Sequence, residues 1–228
     1  MEYREREWRR EGKKYRIRQK WVPLSRISPY LIKAVLIGED DKFWKHEGFD
    51  YEAMEKALEK DIKAKKFKLG GSTISQQLAK NLYLSPAKNP IRKMREAIIT
   101  WRIEKALSKK RILELYLNVV EWGPGGIFGI EAASRHYYGK PASDLGSEEA
   151  ARLAAVLPNP RRYSPLGEGR CVTRRAHLIY NIMVKRGIVV PGYDEVLEEE
   201  SKAGTSAGRN PLPESPLETP LVPQIPQE

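Results

Sequence analysis

Cysteine is nearly absent: Cys171 stands alone among 228 residues. That excludes a disulfide framework within the chain and a thiolate zinc cluster. Histidine is scarce too, and His46, His136 and His177 lie far apart with no metal-ligand spacing. No apolar run approaches the ~20 residues of a membrane span. The N-terminal stretch MEYREREWRREGKKYRIRQK is charged but has no apolar segment behind it, so it does not read as a signal peptide. On these grounds the protein is cytosolic, or a targeting segment is missing from the sequence. Alternating strand patterns and internal repeats are missing as well, and the expected fold is mainly α.

What the sequence does have is positive charge, a formal net +11. Such a balance favours anionic partners: nucleic acid, phosphorylated substrates or an anionic membrane surface. Residues 1–28 are basic, with Trp8, Tyr15 and Trp21 interleaved, a pattern that suits nucleic-acid binding by stacking and charge, a membrane interface, or a solvated extension that packs its aromatics on the domain, the last being the favoured reading. The domain itself spans 29–202. Ser28-Pro29 opens a helix over 29–37 with proline in its first turn. Asp50 caps a helix whose apolar positions are Tyr51, Met54, Leu58 and Ile62. That helix turns lysine-rich through Lys56, Lys60, Lys63, Lys65, Lys66 and Lys68, either a solvated face or an attraction for anionic headgroups. Ser72 is the expected cap of a helix through about Leu84. Asn89-Pro90 starts another, with Ile91, Met94, Ile98 and Trp101 on one face. Ser108 caps the next, where Ile112, Leu113, Tyr116, Leu117 and Val120 are apolar. Further helices are expected at 130–138, stopped by Gly139, at 147–157, capped by Ser147, at about 171–186, stopped by Gly187, and at 194–202. Residues 203–228 carry Pro211, Pro213, Pro216, Pro220, Pro223 and Pro226 and few core-type side chains, and read as a disordered tail.

Four stretches could carry chemistry. The first, IGEDDKFWKHEGFD over 37–50, sets three acids before two large aromatics, a histidine and a glycine. A glutamate among like charges and aromatics has its pKa raised by repulsion and desolvation, which suits a general base near neutral pH. The second, GGSTISQQLAKN over 70–81, leads glycines into a hydroxyl-rich helix N-terminus that offers N–H groups to an anion. Along that helix Ser72, Gln76 and Lys80 share one face, and Gln77 and Asn81 an adjacent strip. The order of a phosphate-binding loop is absent. In the third, IRKMRE, Arg92 and Glu96 stand one helical turn apart, the spacing of a surface ion pair. In the fourth, KKRILELYLN, the periodicity indicates a core helix with Glu114 as a structural partner.

Together the four stretches resemble the peptidoglycan glycosyltransferase family, the enzymes that polymerise bacterial cell-wall glycan from lipid II. The blocks stand in the family's order: Glu39-Asp40 with Phe43, His46 and Gly48, then Gly71 to Gln77 extended to Lys80-Asn81, then Arg92-Lys93 with Glu96, then Ile112 to Asn118. The block LAAVLPNPRRYSP over 153–165 and the pair Arg174-Arg175 complete the pattern, which covers about residues 20–187. The sequence looks closest to the monofunctional branch. It has no room for a transpeptidase domain, and Ser85-Pro86-Ala87-Lys88 lacks the companion motifs of a penicillin-binding serine site.

The resemblance implies a lysozyme-like, two-lobed, mainly α fold and an inverting displacement of undecaprenyl pyrophosphate by the 4-hydroxyl of an acceptor sugar. Glu39 matches the family's base and Glu96 its second essential acid. Ser72, Thr73, Gln76, Gln77 and Asn81 match substrate-contact or cleft-lining positions, and Lys80, Arg92 and Lys93 the basic positions. Lys88 stands where many relatives carry arginine and lacks that residue's bidentate fork. Two roles for Glu96 stay open: holding a divalent metal (Mg or Mn), or orienting the neighbouring basic groups. No organic cofactor is implied. Asp40 and His46 are read as bracing the loop, and Phe43 and Trp44 as its anchors. The implied partners are lipid II, the growing glycan strand, an anionic membrane surface and other cell-wall synthases, with no nucleic acid. The implied location is the outer, periplasmic side of the cytoplasmic membrane. The membrane helix that relatives carry is expected to have been trimmed from this sequence, with peripheral binding through residues 50–70 as the fallback. Two rivals remain: a lysozyme-like glycan-cleaving enzyme with glutamate as general acid, and a nucleic-acid-binding protein using the basic N-terminal segment.

Overall fold

The computed structural model describes residues 2–12, 17–63, 71–84 and 90–189. Lys88, Gly70, Lys65, Lys66, Lys68, the expected helix at 194–202 and the proline-rich tail lie outside the described residues. The described elements are α1 (Glu2–Arg10), β1 (Arg18–Gln19), α2 (Pro29–Glu39), α3 (Tyr51–Lys63), α4 (Ile74–Tyr83), α5 (Pro90–Ala106), α6 (Lys109–Val119), β2 (Ile127–Phe128), α7 (Ile130–Tyr138), α8 (Ser147–Val156) and α9 (Arg170–Lys185). The fold is mainly α, as expected.

The helix boundaries follow local chemistry. Pro29 begins α2 without losing a needed N–H, because the first-turn donors have no partner within the helix. The Asp50 carboxylate accepts from Ala53 N at 2.9 Å and starts α3. Ser108 caps α6 by accepting from the Arg111 N–H. Two expected caps are displaced by one residue. Thr73, not Ser72, caps α4, because its hydroxyl accepts from Gln76 N while the Gln76 side chain accepts from Thr73 N. Ser147 is the first residue of α8, and Gly146 N donates to the Glu149 carboxylate at 2.9 Å. Gly139 ends α7 in the left-handed region at φ 71°.

One hydrophobic core joins the elements. Tyr116, Trp122, Phe43, Leu31, Ile74, Leu78, Leu113 and Leu153 are fully buried within it. Helix α2 packs on α8 and α9, and α4 on α5 and α6. The two strands, each two residues long, pair in parallel with Arg18 opposite Ile127 and Gln19 opposite Phe128. Strands this short show no alternation in a sequence. The segment before α2 is bound to the core. Buried Asn118 donates to Val22 O at 2.9 Å and accepts from Val22 N at 2.9 Å. Trp8 of α1 is buried against Gly126, where an added Cβ would lie 2.2 Å from the indole.

Apolar side chains of α3 and α5 are open to solvent. Tyr51 is 75% exposed and Trp101 56%, and Met54, Ile91, Met94 and Ile98 are exposed as well. Periodicity reports that a helix is two-faced, not what covers the apolar side. No helix among the described residues is long and apolar enough to cross a membrane.

Replacing Asn118 with Ala strips Val22 of both backbone partners inside the core. The expected loss is about 2–4 kcal/mol of stability, read from the urea midpoint at unchanged slope.

Candidate active site

Glu39 is the last residue of α2, and the chain leaves the helix at Asp40, whose backbone is extended (φ −163°, ψ 76°). The Glu39 carboxylate is 8% exposed. Gln77 Nε2 donates to its Oε2 at 2.8 Å, and Arg175 Nη2 donates to its Oε1 at 2.9 Å. Burial pushes the carboxyl pKa above its ordinary 4.5, opposed by the Gln77 hydrogen bond, then by Arg175, and least by Lys80. Tyr116 OH donates to Gln77 Oε1 at 3.1 Å. Burial holds the Tyr116 phenol well above its usual range, so it stays a donor. A carboxylate only accepts, so Gln77 must turn its amide NH₂ to Glu39 and its oxygen to Tyr116.

The residues after Glu39 hold the loop. Buried Asp40 accepts from Ile74 N at 2.9 Å, a carboxylate at the positive end of α4, and from His46 Nε2 at 2.9 and 3.1 Å. Gly48 N donates to His46 Nδ1 at 3.1 Å, which leaves the ring proton on Nε2, facing Asp40. Gly48 sits at φ 93°, and an added Cβ would lie 3.0 Å from both Thr100 Cγ2 and Glu104 Cγ. Its carbonyl accepts from Thr73 Oγ1 at 2.6 Å. Phe43 is fully buried under the Lys109 ammonium, 4.6 Å from the ring centroid. Trp44, read as a second anchor, is half exposed and touches Phe43 edge-on.

A cleft of about 290 Å³ opens beside Glu39, lined also by Asp41, Asp50, Glu52, Lys42, Lys56, Gly71 and Ser72. Of the residues singled out in the sequence, Glu39 and Gln77 meet directly, and Ser72 and Thr73 border the same cleft. Thr73 and Gln76 are buried, tied to each other and to Gly48. Asn81 is exposed at the end of α4. Lys80 has solvent access, yet crowding by protein atoms lowers its ammonium pKa, with Glu96 opposing and Arg92 and Lys93 reinforcing. The charges of Glu39, Lys80, Arg92, Lys93 and Glu96 therefore act on one another. Glu96 is buried, not the half of a surface pair that its spacing suggested. Arg92 Nη1 donates to its Oε2 at 3.0 Å, and Lys93 Nζ to its Oε1.

Arg175 had only a place in a basic pair in the sequence, and Tyr116 only a core position. A usable signal was present for the first. Val172, Ala176, Ile179 and Met183 form the buried face of α9, and Arg175 intrudes on it at helical spacing. A cation on an apolar face implies a buried anion nearby.

The raised Glu39 pKa sets the sign of a stability effect. Below the ordinary 4.5 the group is neutral folded or unfolded, and as pH rises through the folded value the folded state alone bears a buried charge. Glu39→Gln is therefore expected to raise the melting temperature at pH 7, and the gain to vanish near pH 4. Thermal unfolding at both pH values checks this.

The family described as Transglycosylase matches residues 6–184. Three relatives are each called a biosynthetic peptidoglycan transglycosylase. The one from Nitrosospira multiformis is 49% identical over 180 residues, 79% of this chain and 78% of its own. The one from Methylobacillus flagellatus is 54% identical over 163 residues, 72% and 71% of the two chains. The one from an Azoarcus species is 60% identical over 148 residues, 65% and 64%. With a match across most of its length, and with the buried Glu39 and its cationic neighbours lying inside the matched span, this chain belongs to the transglycosylase family.

Proposed function

We propose that the chain polymerises lipid II into glycan strands by inverting displacement of undecaprenyl pyrophosphate, with Glu39 as general base. As a family member it is a glycosyltransferase of bacterial peptidoglycan synthesis. The observation that carries the finer reading is the buried, base-poised Glu39 carboxylate at a cleft, with Lys80 acting on it electrostatically. The acceptor's 4-hydroxyl gives its proton to Glu39 as its oxygen bonds to the anomeric carbon. The bond from that carbon to the pyrophosphate breaks, and the electron pair leaves with the phosphate. A base with a pKa above the usual carboxylate range takes that proton more readily at neutral pH. Charge grows on the leaving pyrophosphate, so Lys80, Arg92 and Lys93 favour the transition state over the ground state.

The surroundings of Glu96 support an orienting role. Both of its oxygens are engaged by basic side chains, Arg92 on one and Lys93 on the other, which is how an orienting anion is placed; a divalent ion (Mg or Mn) at Glu96 would have to share those oxygens with them. Among the described residues no three His, Cys, Asp or Glu side chains are grouped to hold a metal ion. The reading includes the lysozyme-like two-lobed arrangement, binding of Ser72, Gln77 and Asn81 to substrate, and work beside other cell-wall synthases. It places the domain on the outer face of the cytoplasmic membrane. The exposed row Ile91, Met94, Ile98 and Trp101 supports a lipid-facing side, since an uncovered apolar strip suits the membrane interface.

The raised pKa would also serve the general acid of a glycan-cleaving enzyme. Such an enzyme has no task for Lys80, Arg92 and Lys93. Lipid II in detergent, with parent and Glu39→Gln protein run side by side on a gel, separates the readings. Ladders of lengthening glycan from the parent alone are expected; shortening of added glycan would instead favour the hydrolase. Lys80→Ala is expected to lower kcat on the order of 10²–10³-fold with a smaller change in KM.

A further inference from the structure

The contacts of α9 carry one inference, and it rests on Glu39 being the base. We propose that Arg175 is the positioning residue of Glu39, pinning the carboxylate to the end of α2 and keeping it ionised as the acceptor hydroxyl arrives. One guanidinium nitrogen, Nη2, donates both to Gly38 O at 2.7 Å and to Glu39 Oε1 at 2.9 Å. Gly38 O lies in the last turn of α2, where carbonyls lack helix partners and the helix dipole disfavours a carboxylate. Arg175 answers both problems with one group. Gly38 permits the approach: an added Cβ would lie 3.2 Å from Ile179 Cδ1 and 3.7 Å from Arg175 Nη2.

The arginine is not placed there for its own hydrogen bonding. Its Nε is buried with no partner. An unmet buried donor costs stability, so the contact with α2 and Glu39 is what holds the group in place. Other charges surround Glu39 from every side: Asp40, Asp41 and Lys42 on its own loop, Asp50, Glu52 and Lys56 across the cleft, and Lys80 on α4. Arg92, Lys93 and Glu96 of α5 act through Lys80, and Tyr116 of α6 through Gln77. Among the described cations, Arg175 is the one hydrogen-bonded to the carboxylate. On the opposite oxygen, Gln77 is aligned by Tyr116. The two donors fix the carboxylate plane, and a base held in plane delivers its lone pair in a repeatable direction.

Removing the Arg175 charge leaves burial opposed only by Gln77 and the more distant Lys80, so Glu39 takes up a proton at higher pH. The test is the pH profile of lipid II polymerisation for the parent, Arg175→Gln, Arg175→Met and Arg175→Lys, with thermal unfolding of each. The acid limb of kcat is expected to move up by about one pH unit or more in the two neutral variants. In Arg175→Lys it is expected to return toward the parent position, with kcat still reduced because an ammonium cannot copy the guanidinium's shape. Arg175→Met packs among Val172, Ala176 and Ile179 and decides the matter if Arg175→Gln does not fold. An unmoved acid limb in the neutral variants would overturn the proposal. So would a rise in KM at constant kcat, which would make Arg175 a substrate contact. Glu39→Gln in the same assay keeps the failures apart. A polymerising Glu39→Gln would remove the base assignment itself, while an inactive one beside an unmoved acid limb would remove only the role of Arg175.

Discussion

The Glu39 carboxylate is held where two effects oppose it. It is buried, and it sits at the negative end of α2. Both favour the protonated form, and hydrogen bonds from Gln77 and Arg175 work against them without winning. The outcome is a carboxyl group with an elevated pKa, fixed at both oxygens. Much of the surrounding fold serves that balance. Helix α9 brings Arg175, α4 brings Gln77 and Lys80, and α6 brings the Tyr116 that sets the Gln77 amide. The close packing of α2 on α8 and α9 makes those short distances available.

The same stretch divides its labour between structure and chemistry. Asp40, His46, Gly48, Thr73 and Gln76 spend their polar atoms on one another and on backbone groups, and so lock the loop to the start of α4. Glu39 is left lining the cleft, and Lys80 interacts electrostatically with it and with Arg92, Lys93 and Glu96 of α5. In the proposed reaction this separates the proton acceptor from the charge that stabilises the leaving phosphate. Buried Glu96 accepts from both Arg92 and Lys93 and so ties the two cations of α5 together.

Local chemistry was the readable part of the sequence. Pro29, Asp50 and Ser108 mark helix starts, and Gly139 and Gly187 mark ends, because each acts through its own backbone or the next turn. The ordered motif blocks placed Glu39, Gln77, Lys80 and the α5 cations, which the fold does bring together. Features created by distant contact were hidden. Thr73 displaced Ser72 as a cap because Gly48 holds its hydroxyl. Arg175 became a partner of Glu39 only through helix packing across 136 positions of chain. Trp8 and Gly126 meet for the same reason. The exposure of the apolar face of α5 was not legible, because spacing carries no information about the covering surface.

The central claim is that one glutamate, Glu39, is buried and protonates above the ordinary range. Carbon-13 NMR of protein labelled at the glutamate carboxyls, titrated from acid to neutral pH, measures it without substrate. The account predicts one resonance titrating above 4.5 that is lost in Glu39→Gln. A Glu39 carboxyl titrating at or below that value would contradict it.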